Sequence, residues 1–185
     1  MSEQPSGPHL DPKEHGPPRR LNAHGLRLEV PEGWSARIFR YRAKPPEVHG
    51  PTIHAGNFAI PLDDADYGST LTDHVTAGRV AFVYTELIPD RAVEPGRGRH
   101  APTTLPGRFR LDEFSPQTMH ITRPGQMGLQ RFFSVGRRPA SVYVVLGEGS
   151  GVSRALSELN GFMASLEFAR DPEASDYRKP PLERV

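Results

Sequence analysis

The sequence predicts an α+β fold: an antiparallel sheet of about six strands packed against a C-terminal helix and one or two short helices. Three observations carry that expectation. Several short segments alternate apolar and polar residues, the period of a half-buried strand. Two of them, 129–135 and 141–146, are separated by a short linker at 136–139, which makes the pair antiparallel. One late segment, 151–166, carries apolar residues at helical spacing instead. Strands followed by one strong helix, rather than regularly alternating with helices, define the α+β class.

The elements follow in chain order. Leu26, Leu28 and Val30 alternate with Arg27 and Glu29, which reads as a strand ending at Pro31. Pro31-Glu32-Gly33 is a turn signal that sends Trp34 back toward the sheet. Residues 35–42 and 53–60 read as the second and third strands, the latter bounded by Pro51 and Pro61. Residues 80–88 form the strongest early strand, with Phe82, Val83, Tyr84 and Leu87. In the late helix, Val152, Ala155, Leu156, Leu159, Phe162, Met163 and Leu166 make one apolar stripe, with Ser153 as an N-cap candidate. Shorter helical signals lie at 69–77 and 112–119. Phe132 and Phe133 point to opposite faces of one strand, as do Phe82 and Val83 of another. Both sheet faces are therefore apolar, and with one long helix a partly uncovered face is expected.

Both ends differ in character from this core. Residues 1–20 hold five prolines and little apolar area, too little to offset the entropy of ordering. Residues 170–185 are charged and carry Pro172, Pro180 and Pro181. The expected organisation is a disordered tail at 1–20, one domain at 21–169 and a second tail at 170–185. Residues 1–20 contain no apolar stretch of signal-peptide type. Together with the complete lack of cysteine among the 185 residues, this points to the cytoplasm. Without cysteine there are no disulfides, thiol nucleophiles or cysteine-ligated metals. No apolar run approaches the 18 or so residues of a membrane-spanning helix. The formal net charge of +1 gives no reason to expect a dedicated nucleic-acid binder.

Two stretches carry a resemblance. The opening GLRLEVPEGWSARIF joins a strand, a proline–glycine turn, a tryptophan and a second strand. The close, VYVVLGEGSGVSRALSELNGFMASLEF, joins a long strand, a Gly-rich turn and a terminal helix running into a short strand. In outline this resembles the PsbP-like class of small α+β domains. The segments IHAGNFAIP, DYGS and PGQMGLQRFF resemble stretches of uncharacterised proteins from high-GC bacteria. The resemblance implies an accessory or assembly subunit rather than an enzyme. It concerns topology and transfers no functional residue.

No residue pattern points to catalysis or to a cofactor. None of the eight histidines pairs with another at metal-binding spacing. The serines Ser134, Ser141 and Ser165 lack a nucleophile-elbow context. Gly147-Glu148-Gly149-Ser150-Gly151 lies between a strand and a helix, but Val152 stands where a dinucleotide fingerprint needs glycine. A weak ligand-binding set is His54, Asn57 and the acidic turn at 63–66, with Asp64 central. That turn lacks the glycine and terminal glutamate of a calcium loop.

The most suggestive polar feature is a basic loop. Arg91, Arg97, Arg99, His100, Arg108 and Arg110 face only Asp90 and Glu94 there, and Pro95, Pro102 and Pro106 stiffen it. Arginine suits bidentate contact with carboxylates, whereas the lack of interleaved aromatics argues against nucleic acid. The leading expectation is a non-enzymatic accessory or scaffold module binding an acidic protein partner through Arg91, Arg97, Arg99, Arg108 and Arg110, or associating with itself. The second is a small-ligand-binding protein or enzyme with a pocket near His54, Asn57 and the 63–66 turn.

Overall fold

A computed structural model describes residues 19–40, 50–61, 68–87 and 94–169. Its strands fall into two antiparallel sheets. The smaller contains β1 (Arg19–Ala23), β2 (Leu26–Val30) and β8 (Glu167–Phe168), in the order β1-β2-β8. The larger contains β3 (Ser35–Arg40), β4 (Pro51–Gly56), β5 (Val80–Glu86), β6 (Gln126–Val135) and β7 (Arg138–Gly147), in the order β3-β4-β5-β7-β6. Two helices, α1 (Ser69–Asp73) and α2 (Val152–Ala164), complete the mixed architecture.

The single sheet of about six strands is corrected: the described residues form eight strands in two sheets. Strand β1 begins at Arg19, inside the segment expected to be a tail, and pairs with β2 from Arg19↔Val30 to Ala23↔Leu26. Its connection is a two-residue loop, His24-Gly25, with positive φ at both positions, the twist that suits a tight hairpin. Arg19, Arg20 and Asn22 hide this strand from any hydrophobicity pattern. The 31–34 turn, closed by the Trp34 N–H on the Pro31 carbonyl at 3.1 Å, carries the chain from one sheet to the other rather than folding β3 back on β2.

Strand alternation sets two cores. From β5, Val80, Phe82 and Tyr84 enter the main core with Leu26 and Leu28 of β2 and Leu159 and Phe162 of α2. The Phe162 ring stacks on Trp34 and meets Phe82 edge-on, each at a centroid distance of 5.2 Å. Burying a ring of that size contributes about 2–3 kcal/mol. On the opposite face, Ala81, Val83, Tyr143 and Val145 lie under Leu71 of α1, Val75, Phe58 and Met119. The partly uncovered face expected from the sequence is thus closed here by a five-residue helix and three loop side chains, Phe58, Val75 and Met119. Val83 and Tyr143 are buried.

The Gly-rich turn after β7 has a packing role. A Cβ on Gly147 would overlap the carbonyl oxygen of Thr76, and one on Gly78 would sit 2.8 Å from the Ser150 carbonyl oxygen. The two turns interlock through the Gly147 N–H on the Arg79 carbonyl at 2.9 Å. One charged pair is buried at the end of the main core. Arg138 lies 3.7 Å from Glu86, and the Tyr84 hydroxyl donates to Glu86 at 3.3 Å.

Candidate functional site

The described part of the basic loop, 94–110, is built on apolar and main-chain anchors rather than lying free in solvent. At its start the Ser134 hydroxyl of β6 accepts the Gly96 N–H at 3.0 Å and donates to the His100 carbonyl at 2.9 Å. The Ser134 N–H bonds to the Pro102 carbonyl at 2.7 Å. His100 is buried, its Nδ1 3.2 Å from the Phe133 carbonyl oxygen. Farther along, Phe109 and Phe114 enter the main core and Leu105 packs against it. A buried phenylalanine fixes the chain beside it, so the main chain that carries Arg108 and Arg110 is anchored. Single apolar residues among Pro, Gly and Arg have no period, which is why this anchoring is illegible in the sequence.

The arginines on this scaffold differ in what they touch. Arg97, with its side chain 79% exposed, pairs with Glu94 at 2.9 Å. Arg99 lies over the Phe132 ring, 4.9 Å from its centroid, a cation–π contact. Arg110 binds Asp112, whose hydrogen bond and charge hold the guanidinium above its ordinary pKa. Arg108 is exposed and, like Arg99, forms no ion pair among the described residues. Between this loop and β6 runs an open groove of about 220 Å³, lined by Pro102, Leu105, Arg108, Phe109, Glu113 and Phe132, among others. Its carboxylate, Glu113, is already engaged by Arg131 at 2.7 Å and by the Arg110 N–H at 2.9 Å. Arg91 lies outside the described residues.

Of the weaker ligand set, His54 and Asn57 lie among the described residues, and each makes its own contacts. His54 is buried on β4, with Arg37 Nη2 3.3 Å from its Nδ1 and the Phe39 ring edge-on at 4.9 Å. The Asn57 amide is spent on the main chain: Nδ2 donates to the Gly78 carbonyl at 3.0 Å, and Oδ1 accepts the Val80 N–H at 2.9 Å. Asn57 therefore ties the end of β4 to the start of β5. Asp64 and the rest of the 63–66 turn lie outside the described residues. Ser165 is likewise bonded to main chain, accepting from the Glu29 N–H at 3.0 Å and donating to the Phe162 carbonyl at 2.7 Å. No group of three or more metal-ligating side chains occurs among the described residues, and no described helix is long and apolar enough to cross a membrane. No family model, curated protein or solved structure matches the chain.

Proposed function

We propose that this chain is a non-enzymatic accessory or scaffold module of the cytoplasm that binds an acidic protein partner through the loop carrying Arg97, Arg99, Arg108 and Arg110. One observation carries the reading. Four exposed arginines stand on a loop pinned by Ser134, Phe109 and Phe114, and two of them, Arg99 and Arg108, have no carboxylate among the described residues. A cationic edge on a fixed backbone steers acidic surfaces without the cost of ordering a flexible loop. The accessory role also agrees with what the PsbP-like outline of the two ends implies.

The test is affinity capture from the native host with the full chain and with the Arg97→Ala/Arg99→Ala/Arg108→Ala variant, at low and high salt. An acidic protein retained by the parent and lost from the variant supports the reading. Equal retention by both, or no retained protein, overturns it. Light scattering on the purified chain separates a second copy of itself from a different partner.

A further inference from the structure

Strand β6 lies at the edge of the five-stranded sheet, and its outward main chain is covered at Gly128 and at Ser134 and, among the described residues, open between them. The N–H and C=O of Gly128 both bond to Ser115, at 3.0 and 2.9 Å, and the Ser134 N–H bonds to the Pro102 carbonyl. In an antiparallel pair, alternate residues turn both main-chain groups toward the neighbouring strand and the rest turn them away. Gln130 and Phe132 share the parity of Gly128 and Ser134, so their N–H and C=O groups also face away from β7. No other described segment bonds to them. Phe132 lines the groove opposite Leu105 and Arg108, and Arg99 covers its ring.

Unpaired edge groups of this kind are templates for an added strand, and peptide recognition by strand addition draws affinity from them. Resting on the acidic-partner reading above, we propose that a short extended segment of the partner adds to β6 at Gln130 and Phe132. Alternate side chains of an added strand face opposite ways: its carboxylates meet Arg99 on the Phe132 face, and its apolar side chains turn to the other face, toward Leu105. Charge selects the occupant: the groove's own Glu113 is engaged by Arg131 and by the Arg110 N–H, so its rim offers two cations and no unengaged carboxylate among the described residues. Covered positions at Gly128 and Ser134 limit the added strand to the few residues between them.

The experiment uses the full chain and a synthetic set of fluorescein-labelled octapeptides that alternate Glu or Asp with Val, Leu or Phe. A matched set carries Lys at the acidic positions. Anisotropy should show acidic members binding at least tenfold more tightly than their Lys counterparts. Gln130→Pro removes one outward N–H while leaving the β6–β7 ladder intact, a placement edge strands tolerate. It should weaken acidic-peptide binding at least tenfold. Hydrogen exchange on the parent should show the Gln130 and Phe132 amides slowing on peptide addition, which decides the matter even where the proline variant melts early. Equal binding by a folded Gln130→Pro variant, absence of protection at those amides, or no acidic preference overturns the proposal. If capture of the partner still depends on the arginines, the acidic-partner reading survives and strand addition alone fails.

Discussion

Asn160 of α2 holds the main chain of Phe109 at both ends. Its Oδ1 accepts the Phe109 N–H at 2.7 Å, and its Nδ2 donates to the Phe109 carbonyl at 3.1 Å. One amide thus acts as a strand partner for the loop that displays Arg108 and Arg110. Core packing and the candidate groove meet at this contact, because the helix facing the core also holds the main chain of Phe109 at the groove's rim.

Asn160→Ala should cost about 1–3 kcal/mol, since two partly buried main-chain groups lose their partner. Hydrogen exchange should speed up around 107–110 more than in β5 or β7. Uniform acceleration across the sheet would mean that the contact serves global stability alone.

The Arg97→Ala/Arg99→Ala/Arg108→Ala variant should keep nearly the parent melting temperature. Exposed ion pairs such as Arg97 with Glu94 are worth about 0–1 kcal/mol each. Association with the captured partner should slow, and its salt dependence should flatten. A large fall in melting temperature would mark these arginines as structural.

Two glycine substitutions should move stability in opposite directions. Gly147→Ala drives a methyl group into the Thr76 carbonyl, main chain that cannot rotate aside, and should cost about 3 kcal/mol. Gly161→Ala lies on an exposed position of α2 with open space around it and should stabilise by about 0.5–1 kcal/mol. Chemical denaturation of both variants measures the contrast.

Glu86→Ala should cost about 3–5 kcal/mol by leaving Arg138 buried without its carboxylate neighbour. Replacing both, as Glu86→Leu/Arg138→Met, should cost less than the sum of the single changes. A double-mutant cycle by denaturant unfolding tests this; strict additivity would show that the pair at 3.7 Å is not coupled.

Alkaline pH should loosen the second core. Burial raises the Tyr143 pKa, and the hydrogen bond its oxygen accepts from the His120 N–H at 3.3 Å lowers it by less. The folded state therefore holds this proton more tightly than the unfolded chain. The stabilisation is complete below the ordinary tyrosine value of about 10 and declines as pH rises through the higher folded value. Tyr143→Phe should flatten the fall in melting temperature above pH 10.

Legibility in the sequence follows how local each cause is. Strand β2 is readable from end to end because Leu26, Leu28 and Val30 bury one face of five consecutive residues. Helix α2 is readable for the same reason at its own period, through Ala155, Leu159, Phe162 and Met163. The basic loop, as charge, needs nothing but composition. Strand β1 is different: its Arg19, Arg20 and Asn22 are strand residues only because the main chain of β2 lies alongside. The division into two sheets is also a long-range matter, set by where the turn at Pro31–Trp34 aims rather than by any period within β2 or β3. At the candidate site the arginines are legible and their footing is not. The contacts of Ser134 with Gly96, His100 and Pro102, and of Asn160 with Phe109, join residues dozens of positions apart. Whether a main-chain group such as that of Gln130 is paired or open depends on which distant segment comes to rest beside it.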